Sequence, residues 1–366
     1  MTHAPVLAPV PQAPLVDRAT GDVTVGRWAG PLLDPNLEDA SIPHALSSFA
    51  GMPLLGKLEA GFRSSWRLKI WQYMSIVTDG WLMAAVVADA GFARNGFFYA
   101  IDTATGEVRH RASIRAGRGG VAVARTTAGE SEHHFRGRGL ELHVLNRNGA
   151  QEISLSGKGE FEKKGGAFEL DLTLDSDGGE HLGLCVPMPT GRWDYTHKFG
   201  AYRARGRAVI DGRVIELDPK RSFGSMDYSK MYALRHAVWR WVALCGRSKQ
   251  GAVIGVNLVD PTPEAAVSEN AAWIDGRLEP LSEVKLELAG APGAVPEMGT
   301  WRCKSGELDL TMQPIACFVQ KLNLPMLRHR LVHGAGRFSG QLTTASGAVH
   351  DFVDAVGIAE DNDTWW

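Results

Sequence analysis

Apolar and polar positions alternate with a period of two through most of the chain, and turn signals separate the alternating runs. VIDGRVIELD (209–218) and WIDGRLEPL (273–281) each place Asp-Gly between strand-like residues. That dipeptide accepts the positive φ angles of a tight primed turn, so both segments predict hairpins. FFYAIDTATGEVRHRASIR (97–115) predicts a third hairpin with a longer turn, and ISLSGKGEFEKKGGAFELDLTLD (153–175) two more strands around Gly165 and Gly166. WRWVALCGRSKQGAVIGVNLVD (239–260) and GRFSGQLTTASGAVHDFVDAVGIAE (336–360) read as strand, turn, strand. Strands at such close and regular spacing predict an antiparallel sandwich or barrel. Helical signals are few: 34–49 predicts a short helix, and 315–332, with mixed periodicity and Pro325, is left open. Alternating strand–helix units are absent, which argues against a Rossmann or TIM-barrel enzyme.

A chain of 366 residues is too long for one small core and implies two domains or one large β-fold. The strand sets divide most naturally near 190–205, which suggests a Pro-rich extended arm over 1–30, one β-domain over 31–200 and a second over 201–366. The composition, 44% hydrophobic and 22% charged, is that of an ordinary soluble protein, and a net charge of −2 gives no electrostatic case for nucleic acid or an anionic membrane. No stretch approaches the roughly 18 to 20 apolar residues of a membrane span. The best, WLMAAVVADAGFA (81–93), is interrupted by Asp89. The N-terminus lacks the basic start and apolar core of a signal peptide, so the expected location is the cytoplasm. Cys185, Cys245, Cys303 and Cys317 form no CxxC pair and read as thiols in a reducing compartment.

No GxSxG elbow, Walker loop or HExxH helix occurs, and HGAGRFSG (333–340) fits a strand and turn better than a phosphate loop. His133, His134 and His143, and His329 with His333, have metal-compatible spacing but no accompanying carboxylate pattern. They read as solvent-exposed histidines, and neither metal nor organic cofactor is expected.

The candidate chemistry lies in FGSMDYSKMYALRHAVWRW (223–241), which packs Asp227, Lys230, Arg235 and His236 among Phe223, Tyr228, Tyr232, Trp239 and Trp241. On a strand, Trp239 and Trp241 share one face with Ala243 and Cys245, while Val238, Arg240, Val242 and Leu244 share the other. Asn257 interrupts the next apolar strand, and Glu269 and Asn270 open the one after, which carries Trp273. Consecutive antiparallel strands are usually neighbours, which brings these segments side by side. One reading is structural: Asp227 and Glu269 pair with Lys230, Arg235 or Arg240 and hold loops down. The other is a cavity with an aromatic wall and one or two carboxyls. A carboxyl desolvated by indoles has a raised pKa and donates a proton, and indole faces stabilise a developing cation. Hydration or cyclisation of an alkene needs both.

DGRVIELDPKRSFGSMDYSKMYALRHAVWRWVALCG, GVNLVD, SENAAWIDGRL and the closing GRFSG…GIAED resemble the bacterial domain of unknown function 2804 family over roughly 195–366, with a looser match through SSWRLKIWQYMSIVTDGWLMAAVVADAGF. The family's pattern falls on Asp227, on Trp239 with Trp241, on Asn257, on Glu269 with Asn270, and on Glu360; Tyr228 stands where Trp is more usual. By layout the family is similar to calycin-like two-barrel proteins, including carotenoid 1,2-hydratases. The resemblance implies an all-β protein of two tandem lipocalin-like barrels or open sandwiches and an apolar, isoprenoid- or polyketide-like ligand. On this basis the expected activity is cofactor-independent hydration, cyclisation or isomerisation of an apolar unsaturated molecule. Asp227 and then Glu269 are the expected acids, with Trp239, Trp241 and Tyr228 the cation-tolerant wall. Asn257 and Asn270 would position water or a carboxyl. Lys230, Arg235, His236 and Glu360 complete the expected substrate contacts. The rivals are a lipid or pigment carrier using the same pocket, and a structural protein with no pocket.

Overall fold

The computed structural model describes residues 7–42, 67–117, 119–148, 151–162, 166–260, 268–289, 298–324 and 327–365. The alternating runs form β1 (Gly26–Trp28), β2 (Leu68–Thr78), β3 (Trp81–Asp89), β4 (Ala93–Asp102), β5 (Val108–Ala116), β6 (Val121–Ala122), β7 (Ser131–Gly137), β8 (Leu140–Arg147), β9 (Glu152–Glu160), β10 (Ala167–Asp175), β11 (Leu182–Met188), β12 (Arg192–Ile210), β13 (Arg213–Leu217) and β14 (Phe223–Tyr232). They continue as β15 (His236–Arg247), β16 (Val253–Val259), β17 (Ala271–Ile274), β18 (Arg277–Pro280), β19 (Lys285–Ala289), β20 (Thr300–Lys304), β21 (Leu308–Leu324), β22 (Leu327–Thr343) and β23 (Val349–Trp365). Both Asp-Gly turns have the anticipated geometry: φ is 50° and 79° at Asp211 and Gly212, and 48° and 81° at Asp275 and Gly276. The helix expected over 34–49 is a single 3-10 turn at Leu37–Asp39, and residues 43–49 lie outside the described residues. The ambiguous 315–332 segment falls on the antiparallel pair β21 and β22, with residues 325–326 outside the described residues.

The strands make two curled antiparallel sheets. The first runs β5-β4-β3-β2-β14-β12-β10-β9-β8-β7-β6, with β11 and β13 also on β12 and β1 on β11. The second runs β18-β17-β16-β15-β23-β22-β21-β20-β19. The chain passes from one sheet to the other between Tyr232 and His236, and position 200/201 lies inside β12. β14, which carries Asp227, therefore pairs with β2 and β12 in the first sheet. From residue 7 onward the N-terminal arm packs on the first sheet: β1 pairs β11, and Leu15, Val16 and Trp28, with Leu32 just beyond the arm, are buried in the first core.

Period-two alternation gives each sheet its own core and leaves the opposite faces for a third. Met74 and Ile76 of β2, Met83 and Ala85 of β3, and Phe98 of β4 fill the first core. Their alternates Tyr73, Leu82, Ala84, Phe97 and Tyr99 face the second sheet. On β15, Val242 and Leu244 enter the second core, while Trp241 and Ala243 join the layer between the sheets. The sheets meet backbone to backbone at Gly200 of β12 and Gly255 of β16. A Cβ on Gly255 would overlap the Gly200 carbonyl, and one on Gly200 would strike the Trp273 ring at 2.6 Å.

Candidate active site

A cleft of about 260 Å³ opens between the sheets beside this middle layer. The first sheet supplies Trp71, Tyr73, Asp194, Lys198, Asp227 and Ser229; the second side supplies Trp239, Trp241, Glu269, His333 and Glu360. Trp71 and Trp239 face each other across the sheets, parallel within 4° at 6.4 Å between ring centroids. Tyr73 meets Trp241 edge-on at 5.1 Å. Most of the remaining lining, including Val86, Phe97, Leu327 and Leu331, is apolar.

One end of the cleft is a carboxyl cluster around one lysine. β12 and β14 pair Lys198 with Asp227 and Thr196 with Ser229, so alternation aims these side chains together. Lys198 Nζ donates to Asp227 Oδ1 at 2.9 Å and lies 3.2 Å from Glu269 Oε2. Asp227 also accepts from Trp71 Nε1 at 3.2 Å and from the Ser229 hydroxyl at 3.1 Å. Burial opposes the Lys198 charge, but Asp227 and Glu269 outweigh it and hold the ammonium above its ordinary range. Burial raises the Glu269 carboxyl, with Lys198 opposing and the Asp227 charge adding. Asp194, on the same face of β12, is pushed up to about 8 by burial and by the charges of Glu269 and Asp227, against the pull of Lys198. Its Oδ1 is shut from solvent and has no hydrogen-bond partner.

The opposite wall carries a second polar group. Glu360 on β23 faces His333 on β22 in the sheet register, and their Oε2 and Nε2 are 2.5 Å apart. Trp239 Nε1 donates to Glu360 Oε1 at 2.5 Å, and His333 Nδ1 is 3.3 Å from the Tyr99 hydroxyl. A carboxylate on Nε2 selects the Nε2–H tautomer, leaving Nδ1 to accept from Tyr99. At another edge of the cleft, burial brings Lys69 down to about 7, with Asp89 opposing and Arg67 and Arg235 adding; its ammonium donates to the Ala90 carbonyl at 2.6 Å.

The structure brings together Asp227, Glu269, Trp239, Trp241 and Glu360 from the sequence-derived set. Asn257 stands behind the wall: its Oδ1 accepts from Trp241 Nε1 at 2.7 Å, and its Nδ2 donates to the Glu269 carbonyl at 3.0 Å. Asn270 accepts from the Val259 amide at 2.7 Å and fixes a strand end, outside the lining. Tyr228 and Lys230 lie on the other face of β14, because adjacent strand residues point oppositely. Tyr228 donates to the Ala124 carbonyl at 3.1 Å inside the first core, and Lys230 bonds the Pro35 carbonyl and Glu38, each at 2.6 Å. Arg235 is exposed on the connection between β14 and β15. His236, also exposed, stacks on Trp365 at 4.2 Å and pairs with Asp363 at 2.9 Å.

Sequence reasoning missed Trp71, Tyr73, Asp194, Lys198 and His333. Two of its signals were available. Trp71-x-Tyr73 repeats the phase of Trp239-x-Trp241, and Asp194, Thr196 and Lys198 form a polar alternation within β12. The reading of His133 and His333 as solvent-exposed is corrected: both are fully enclosed, His133 in the first core against Tyr228 and His333 beside Glu360. Among the described residues no three His, Cys, Asp or Glu side chains are grouped to hold a metal, and no helix is long and apolar enough to cross a membrane.

The sequence profile described as "Domain of unknown function (DUF2804)" matches residues 48–366, and the chain belongs to that family. No curated protein matches. Among solved structures, the fold is similar to CghA with Sch210972 (TM-score 0.52, 13% identity, 81% of this chain and 87% of that one). It is also similar to CghA alone (TM-score 0.51, 14% identity, 80% and 87% covered). Kievitone hydratase from Nectria haematococca has a TM-score of 0.45 at 12% identity, with 80% and 88% covered.

Proposed function

We propose that this DUF2804 protein is a cofactor-independent hydratase, cyclase or isomerase acting on an apolar unsaturated small molecule held between its two sheets. The observation that carries the reading is a cluster of three carboxyls, Asp194, Asp227 and Glu269, about Lys198, at the end of a cleft whose remaining lining is mostly indole and other apolar side chains. An acid of that cluster protonates a double bond. The faces of Trp71, Trp239 and Trp241 stabilise the cation that results. Lys198 and Asn257 fix Asp227, Glu269 and Trp241 in place, so little reorganisation is needed when charge develops. The Glu360–His333 pair, on the far wall, takes the proton that leaves the cation or the water that adds to it. The likeness to CghA, a fold solved with a bound small molecule, is consistent with a ligand site in this architecture.

The test is incubation of the protein with an apolar extract of its own host in D2O, read by mass spectrometry. Addition of D2O to one component identifies a hydratase. Unchanged connectivity mass with deuterium on carbon identifies an isomerase or cyclase. A component that co-purifies with the protein yet is never converted would make it a carrier and sink the enzymatic reading.

A further inference from the structure

Resting on that reading, we propose that Asp194, rather than Asp227 or Glu269, is the catalytic acid that delivers the proton. The argument is one of elimination by contact. Asp227 accepts from Lys198 and Ser229 on one oxygen and from Trp71 on the other. Glu269 is paired with Lys198, Glu360 accepts on both oxygens from Trp239 and His333, and Asp89 is paired with Arg94 at 2.9 Å. Each of these carboxyls is committed to a donor. Asp194 also lines the cleft, and its enclosed Oδ1 accepts from nothing. Asp227 and Glu269 share Lys198, the buried Arg27 acts on Glu269 as well, and like charges in one site keep a proton on the odd member, Asp194.

The charged and titratable groups around Asp194 are Lys198 and Arg192 on its own strand, Asp227 on β14, Cys185 on β11, and Glu269 ahead of β17. Arg192 is spent on the Ala233 carbonyl. Burial and the Glu269 and Asp227 charges place the Asp194 carboxyl near 8, so it holds its proton at neutral pH. In the reaction the Asp194 O–H bond breaks, a C–H bond forms at one alkene carbon, and positive charge appears on its neighbour. Asp194 becomes a carboxylate, and water or loss of a proton to the Glu360–His333 pair quenches the cation. No electrons leave the system.

Decyl vinyl ether tests this on the intact protein. Protonation at its terminal carbon gives an oxocarbenium ion, and water then yields acetaldehyde and decanol. The expected result is accelerated hydrolysis at pH 7 that falls as pH rises through about 8. Asp194→Asn should lose about 100-fold or more, the usual contribution of a general acid. The same variant should still bind decyltrimethylammonium, by tryptophan fluorescence, which shows that the cleft has kept its shape. Undiminished hydrolysis by Asp194→Asn, or a rate unchanged across pH 8, overturns the assignment and leaves the proposed function standing. Failure of the wild type both to bind the ammonium and to hydrolyse the ether would instead remove the proposed function itself.

Discussion

Lys198 is nearly enclosed and lies within reach of two carboxylates, while its ammonium sits 5.7 Å from the Trp241 ring. Removing one partner of such a cluster leaves the others charged and uncompensated, a penalty of about 3–5 kcal/mol. Lys198→Met should therefore destabilise the protein by that amount in urea unfolding at pH 7, and the loss should shrink as the carboxyls are protonated in acid. A loss of under about 1 kcal/mol would mean that water reaches the cluster freely. At this scale the sequence was partly readable. Asp227, Trp239 and Trp241 stand out because charge and indole in one short segment are unusual, Glu269 because it opens the strand of Trp273, and Glu360 through the family pattern alone. Asp194 and Lys198 did not, since their significance comes from pairing with a strand that arrives some thirty residues later in the chain. His333 needed its partner on the neighbouring strand to be distinguished from an exposed histidine.

Elements fix which of these residues can act together. The Trp239, Trp241 and Ala243 phase was legible because alternation on β15 is unambiguous. The grouping of Asp227 with Tyr228 and Lys230 was not compatible with a strand, where neighbours in sequence face opposite ways. β14 sends Asp227 and Ser229 to the cleft and Tyr228 and Lys230 to the first core. Spacing between the two walls is set where β12 touches β16. Gly255→Val should force Gly200 and Gly255 apart, costing about 1–3 kcal/mol and weakening decyltrimethylammonium binding in a fluorescence titration. Gly246→Ala on β15, where an added Cβ meets nothing within 4 Å, is the matched control and should change neither. Equal behaviour of the two variants would show that the sheets do not depend on that contact.

The all-β class and the position of the Asp-Gly hairpins were readable across the whole molecule, because both follow from local periodicity and turn chemistry. The exchange of sheets at Tyr232 was not, since β14 closes the first sheet by a long-range pairing with β2. Stability as a whole should lean on pH through groups buried uncharged. His133 and His181 are lowered to about 3 by burial, and His197 is lowered further by burial and by His181. Below about 6.5 the unfolded chain takes up these protons and the native state does not, so each histidine costs about 1.4 kcal/mol per pH unit of acidification until its native pKa is reached. Asp194 acts with the opposite sign: the native state keeps a proton that the unfolded chain releases, so its contribution is lost as pH rises from about 3.8 to about 8. Thermal unfolding followed from pH 7 to pH 4 should show a steep fall, and His133→Leu should flatten it; parallel curves for the two proteins would contradict the sign. The placement of the cleft has a further outcome. One wall is cut from each sheet, so any occupant is also mortar between them. By mass action a molecule present at a hundred times its dissociation constant adds about 2.7 kcal/mol to the closed assembly. A filled cleft would thus make a sturdier object than an empty one, and resistance to heat would read out its occupancy.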